Sequence, residues 1–382
     1  MFYIRQTTPE DLDTLFKLAK MVHFINLPAD KEIISDKIGR SRSSFLRAAT
    51  GEVTRPRETS DGSASKGSPL YMFSILDSET QTCHGTSMIV SKMGAPGAPN
   101  LSFRVSTRHF FSKELGQGTS HTVLQLDLDE SGPTEIGGLI LAPSMRRHPD
   151  RLGKQLSLIR FHFMGLRREL FSDRVLAEMM APITTDGRSV FWDALGRRFI
   201  NLSYTEADMF CQHSREFMLS LLPREEIYAT LLPPEARQVI GQVGHDTRPA
   251  RKMLEDIGFR YTHRVDPFDG GPHLEAVIDE IPLVRDSQPD IFAGYCTVTQ
   301  ARRRGFVSVL HEDGQFRGVY TPYAEIESGS RAIKLPRESA EILMLEAGMP
   351  LGVTPVDLTG KPAKPTPAPK PVRKKKRSRA AA

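Results

Sequence analysis

Residues 137–170 read GGLILAPSMRRHPDRLGKQLSLIRFHFMGLRREL. The apolar run Leu139-Ile140-Leu141-Ala142, bounded by Gly137-Gly138 and by Pro143, predicts a buried strand that ends in a turn. That turn carries Arg146, Arg147, Arg151 and Lys154, with a single glycine, Gly153, at its close. A helix follows, because Leu152, Leu156, Ile159, Phe163, Leu166 and Leu170 recur at steps of four and three and so share one face. Four cations at a helix start meet a macrodipole that is already positive, which is unfavourable unless an anion sits among them. The free N–H groups of a first helical turn are a natural seat for such an anion. Strand, basic turn and helix together predict a phosphate cradle in an α/β fold. The bland alternative is a basic amphipathic helix turned to solvent, and this stretch alone leaves both open.

The 382 residues can bury a large core, and 39% hydrophobic with 25% charged residues is ordinary for a soluble globular chain. No apolar run approaches the roughly 20 residues that a membrane span requires. The N-terminus, MFYIRQTTPEDLDTLFKLAKM, lacks the basic start, apolar stretch and cleavage site of a signal peptide. Cys83, Cys211 and Cys296 are scattered, odd in number and without metal-ligand spacing, so a reducing, cytoplasmic compartment and no metal are expected. The net charge of +5 misleads, because the tail from Lys361 carries +9 and leaves −4 for the rest. The tail could bind nucleic acid or an anionic membrane by charge alone, or simply solubilise the chain. It interleaves no aromatic residue, which argues against a stacking platform for single strands, and neither partner is expected.

A strand at Phe2–Arg5 opens the chain, followed by helices. The stretch 51–69, GEVTRPRETSDGSASKGSP, predicts a polar, flexible loop. Strands are expected at Leu70–Leu76, Thr86–Val90, Leu101–Ser106, Thr122–Leu128 and Ile136–Leu141, with a second loop at 94–100. From Gly153 to about Ile281 helices and strands alternate. Residues 286–358 show short strands and turns, a small β-rich module, and the Lys/Pro/Ala tail cannot bury enough apolar surface to fold.

Three later segments add a resemblance. They are LAEMMAPITTDGRSVFWDALGRRF (Leu176–Phe199), the EARQVIGQV run ending at Val243, and DPFDGGPHLEAVID (Asp266–Asp279). With Phe191, Trp192, Leu195, Gly196, Arg198 and Phe199 in one phrase and Phe268–Pro272 in another, the chain resembles the bacterial arginine N-succinyltransferases from its start to about residue 358. The resemblance implies a GNAT-type acyl-CoA N-acyltransferase fold, an α/β (α+β) mixed sheet with the acyl-CoA splayed between two strands. With the composition read above, the expected division is an acyltransferase domain at 1–285, a β-rich module at 286–360 and a disordered basic tail at 361–382. The implied reaction moves a succinyl group from succinyl-CoA, a co-substrate, to the α-amine of L-arginine, with no prosthetic group. Relatives form oligomers of one or two kinds of subunit, so a homo- or hetero-oligomer is allowed.

The implied pyrophosphate turn has the pattern R/Q-x-x-G-x-G/A, and here Arg151 stands at the first glycine's place while Gly153 keeps the last. Arg146, Arg147, Arg151, Gly153 and Lys154 are the expected cofactor contacts, and the family's succinyl-CoA contact on the strand falls on Leu139, through its backbone. The family places its proton-donating histidine directly after Gly-Gln-Val, where this chain has Gly244 followed by His245 and Asp246. Either a one-residue shift lets His245 act, or the role has moved and His245 is a solvated loop residue. Recognition of arginine needs a carboxylate for its guanidinium and donors for its α-carboxylate, and Glu178, Arg198 and Asp269 are the expected substrate contacts. Their plainer roles are an ion pair of Glu178 with Arg197 or Arg198, and a turn-stabilising Asp269. Asp208 is expected to cap a helix or face solvent, and Trp192 to pack in the core. Cys211 lacks a His or Asn constellation, so direct transfer without an acyl-enzyme is expected. The departures at Gly244 and Arg151 keep two alternatives open, an acyltransferase acting on ornithine or another basic amine, and a non-catalytic CoA-binding regulator.

Overall fold

The expected strands assemble into one continuous mixed sheet, and the fold is α+β. The computed structural model describes residues 1–21, 27–52, 67–212, 214–326 and 331–358. The predicted loop at 51–69 lies mostly, and the basic tail from 361 entirely, outside the described residues. The strands are β1 (Phe2–Gln6), β2 (Leu70–Asp77), β3 (Cys83–Val90), β4 (Asn100–Ser112), β5 (Gln117–Asp129), β6 (Thr134–Leu141), β7 (Arg174–Glu178) and β8 (Ile227–Tyr228). They continue with β9 (Arg260–Val265), β10 (Pro272–Val277), β11 (Gln288–Tyr295), β12 (Arg303–Leu310), β13 (Phe316–Glu325), β14 (Ala332–Leu335) and β15 (Pro350–Pro355). Across the sheet the order is β12-β15-β11-β14-β13-β1-β2-β3-β6-β7-β10-β9-β4-β5-β8. Because β12 also pairs with β13, β11–β15 close into a ring, and the β13–β1 pairing joins that ring to the rest. Parallel pairing occurs at β6–β7 and β11–β14.

Local chemistry explains the elements that frame the site. The eight residues of β2, LYMFSILD, are buried except the last, so the strand reads as an unbroken apolar run covered on both faces. Two helices pack on this part of the sheet, α1 (Leu12–Lys20) and α2 (Lys31–Thr50). Asp30 caps α2, its Oδ1 accepting from the N–H groups of Glu32 and Ile33, and Gly51 ends it at φ +73°. The strands β4 and β5 run thirteen residues each, longer than expected, because their outer halves form an exposed ribbon without an apolar pattern to betray it.

The helix after the basic turn, α3 (Leu152–Leu166), stops short of the expected Leu170: Arg167 leaves helical geometry at φ −135°, and Arg168–Leu170 form a separate turn. Its burial also differs from the one-faced expectation, since every residue from Gln155 to Met164 is buried. The reason is position. One side of α3 lies on the sheet, and the other meets the ring of β11–β15, where His162 pairs its Nδ1 with Thr354 Oγ1 at 2.5 Å and its Nε2 with Ser308 Oγ at 2.6 Å. Burial pushes the His162 imidazole down to about 3, so it joins the two hydroxyls as a neutral ring.

Candidate active site

The parallel neighbours β6 and β7 pair only at Thr134↔Val175 and Glu135↔Leu176. Beyond that point β6 follows β3 and β7 follows β10, so the two strands part and open a wedge. A bulge in the β3–β6 pairing accompanies the parting, at Gly138 with φ +56°, where a Cβ would stand 2.3 Å from Met88 Cε. On one side of the wedge lies α3. On the other, beneath α2, is a cavity of about 390 Å³ whose wall includes Glu135 and Gly137 of β6, Glu178 at the end of β7 and Asn100 at the start of β4.

The cavity carries both signs of charge. Lys37 and Arg40 enter from α2, Arg215 from the chain after residues 204–211, and Asp266 from the turn before β10. Asn100 sets the polarity between them: its Oδ1 accepts from Arg215 at 2.8 Å, and its Nδ2 donates to Glu178 Oε1 at 3.0 Å. Behind Glu178 stands His273, 1% exposed, with its Nε2 3.7 Å from Glu178 Oε1 and without a hydrogen-bond partner among the described residues. Burial lowers the pKa of that imidazole, so it is neutral and Nε2 can accept. Ligand atoms of Glu178, Asp266 and His273 all lie within 4.8 Å of one another, close enough to hold a single cation. Burial, and then the charges of Asp269 and Glu178, raise the Asp266 carboxyl well above its ordinary range. Burial and Arg40 likewise bring the Lys37 ammonium down to about 8.

Two motifs build the wall behind this cluster by packing on each other. Trp192 is fully buried and stacks on Phe268 at 4.9 Å, its Nε1 donating to Leu202 O at 3.0 Å. Gly196 is required because a Cβ there would sit 2.3 Å from the Trp192 ring. Gly270, at φ +79°, faces the Phe191 ring, and Gly271 lies against the carbonyl of Met179. Residues 2–283 match AstA, the arginine N-succinyltransferase beta subunit family. The chain belongs to the arginine N-succinyltransferase family. The arginine N-succinyltransferases of Shigella dysenteriae serotype 1 and Escherichia coli (strain K12 / DH10B) are each 36% identical over 291 residues, 75% of this chain and 79% of theirs. Arginine/ornithine succinyltransferase subunit AI from Pseudomonas aeruginosa has a similar structure, with a TM-score of 0.74 at 27% identity over 93% of this chain and 98% of that one.

In this member of the arginine N-succinyltransferase family the expected contacts do not gather in one place. Glu178 lies in the cavity wall, bonded to Asn100 and not to Arg197, which pairs with Asp193 at 3.5 Å. Arg198 is exposed on the short helix Gly196–Phe199, away from the cavity wall. Asp269 is buried in its turn, accepting from Gly271 N at 2.7 Å and Ala181 N at 3.0 Å. Around the basic turn, Arg146, Arg147 and Arg151 are exposed and Lys154 is half-buried, its Nζ donating to Leu358 O at 3.5 Å. Leu139 lies on β6 beyond the last residue paired with β7. His245 is 89% exposed and stands beside the basic turn, its neighbour Asp246 pairing with Arg146 at 3.4 Å. Gly244 N bonds Met180 O at 3.0 Å, so the family histidine's place abuts the end of β7 while His245 turns outward.

Asp208 differs from its expected capping or solvent role. Its Oδ1 is buried without a hydrogen-bond partner among the described residues, and burial, opposed by Lys37 and Arg215, moves the carboxyl up to about 6. The helix Tyr204–Cys211 is capped instead by Ser203, leaving Asp208 on its inner side. Asn100, Arg215, Lys37, Asp266 and His273 were beyond a reading of the chain residue by residue. For Asp266 and His273 a signal existed, since both lie in the segment DPFDGGPHLEAVID.

Proposed function

We propose that this protein transfers the succinyl group of succinyl-CoA to the α-amine of L-arginine by direct attack, in the cytoplasm, on a GNAT-type acyltransferase fold. The observation that carries the reading is a wedge between parallel strands that leads to a cavity holding both carboxylates and cations, as a zwitterionic acceptor with a cationic side chain requires. Lys37, Arg40 and Arg215 suit carboxylates, and the acids suit cationic nitrogen. The amine nitrogen attacks the thioester carbon, the C–S bond breaks, and CoA leaves as the thiol while the ammonium gives up a proton. The free state of Cys83, Cys211 and Cys296 fits a reducing compartment.

For the acyl-CoA, the wedge would take the pantetheine arm with the backbone of Leu139 beside the thioester, and the start of α3 would take the pyrophosphate. No side chain caps α3, and a Cβ on Gly153 would meet only a Leu141 methyl at 3.7 Å, so protein packing does not demand the glycine. Bare backbone there serves an approaching anion. Arg151 adopts φ +55°, a conformation suited to the glycine of the family pattern, and holds a cation at that point. Arg151→Ala and Arg151→Gly should each raise KM for succinyl-CoA about tenfold and leave that for arginine unchanged. The glycine variant should be the more stable of the two by about 1 kcal/mol, since it relieves the left-handed strain. Steady-state kinetics with denaturant melts of both variants check this pair of effects.

The reading itself is tested by thiol release from succinyl-CoA with L-arginine, with L-ornithine or with no acceptor. Release that depends on arginine or ornithine is expected. Its absence across pH 6–9 (roughly the range in which an α-amine is partly deprotonated) would leave the non-catalytic CoA-binding reading standing.

A further inference from the structure

The cluster of Glu178, Asp266 and His273 suits one particular part of the acceptor. We propose that these three residues seat the acceptor's α-ammonium and receive its proton as the amine attacks, in place of the exposed His245. The inference rests on the succinyl-transfer reading above and assigns the group that performs its proton step.

All three groups can accept a hydrogen bond. Glu178 and Asp266 offer carboxyl oxygens, and His273 offers a buried Nε2 with no partner among the described residues, an acceptor when the ring proton sits on Nδ1. A buried acceptor left unsatisfied calls for a donor. An ammonium carries three N–H donors and no acceptor. An ammonium donating over about 2.9 Å can reach all three groups, whose ligand atoms lie within 4.8 Å of one another, Glu178 Oε1 and His273 Nε2 being 3.7 Å apart. The local charge balance points the same way. Glu178, Asp266 and Asp269 crowd together, and the backbone donors to Asp266 come from Phe268 and Asp269. Position completes the argument. Glu178 ends β7 where the wedge opens, and through Asn100 it is one amide away from Arg215, so an α-carboxylate can meet the arginine while its neighbouring ammonium meets the cluster.

The step balances without a further reactant. One ammonium proton passes to the cluster, the nitrogen forms the amide bond to the succinyl carbon, and the C–S electrons leave on sulfur. A second proton leaves the nitrogen and ends on the thiolate, so the first is the one proton released overall.

The test uses Glu178→Gln and Asp266→Asn in the full chain; an asparagine at 266 retains the oxygen that accepts from Phe268 and Asp269. With L-arginine and L-ornithine both variants should lose at least about 10²-fold in kcat, equally for the two acceptors, with KM for succinyl-CoA unchanged and melting intact. The acid limb of the kcat–pH profile should also move in both. The groups facing His273 are Glu178, Asp127, Arg215 and Arg264, and those facing Asp266 are Glu178, Asp269, Tyr204 and Cys211, so the remaining charges still bound the profile. Unchanged kcat overturns the proposal. So does a Glu178→Gln enzyme that prefers L-citrulline to arginine, because the cluster would then hold the side-chain cation. Activity lost on chelation and restored by Zn²⁺ would make it a metal site instead and overturn the proposal too. If the wild-type protein releases no thiol, succinyl transfer fails by itself, and calorimetric binding of L-arginine still decides the seat. Binding at least about tenfold weaker in Glu178→Gln supports it, and equal binding overturns it.

Discussion

Gly271→Ala is expected to cost about 3 kcal/mol of stability and to remove nearly all turnover. The added Cβ would stand 1.9 Å from Met179 O, 2.8 Å from Ala181 N and 2.8 Å from Asp269 Oδ1. Two of those three atoms are backbone, so no side-chain rotation relieves the clash. The chain has to move, and the segment that moves is the end of β7, where Met179 N bonds Pro272 O at 3.1 Å and Glu178 pairs with His273. The stability loss and the activity loss thus share one cause, a β7–β10 register forced apart beside the acceptor cavity. Chemical denaturation and thiol release report the two. A variant within 1 kcal/mol of wild type and fully active would show that this strand end yields easily, and would undo the tight-packing account.

Trp192→Ala should lower the unfolding free energy by about 3–5 kcal/mol, the ordinary cost of truncating a fully buried aromatic residue. Three losses combine. The indole gives up its stacking on Phe268, leaves Gly196 facing a void, and orphans the Leu202 carbonyl that its Nε1 supplies. Phe268 also lines the cavity, so its loosening should raise KM for arginine more than that for succinyl-CoA. Trp192→Phe keeps the stacking and should recover most of the stability. Equal loss in both variants would assign the energy to the indole hydrogen bond and not to packing.

These two positions explain why the phrases containing Phe191–Phe199 and Phe268–Pro272 stand out in the chain. Trp192 and Phe268 need each other, Gly196 makes room for the first, and Gly270 and Gly271 make room for Phe191 and Met179. Much of the motif therefore shapes a wall, and the side chains aimed at the cavity are its quieter members, Asp266 and Glu178. Arg198, from the same phrase, faces solvent. A residue type suited to a ligand does not reveal whether its side chain points inward, because short helices such as Gly196–Phe199 have too few turns to show a burial period.

The sequence by itself determined the elements whose signal is local. The strand–turn–helix at 137–170, the apolar run of β2 and the β-rich stretch after residue 286 follow from periodicity, turn residues and composition, all properties of neighbours along the chain, while the mixed sheet was implied by the family resemblance. Only the tertiary structure decided that α3 is buried on all sides, because the ring of β11–β15 that covers it lies far away in sequence. It alone brought Asn100, Glu178, Arg215, Asp266 and His273 together, through the β7–β10 register and the return of β4 to the same end of the sheet. It alone turned His245 away from them. A site assembled from four separate segments has no spacing to read, since its geometry is set by which strands pair and in what register.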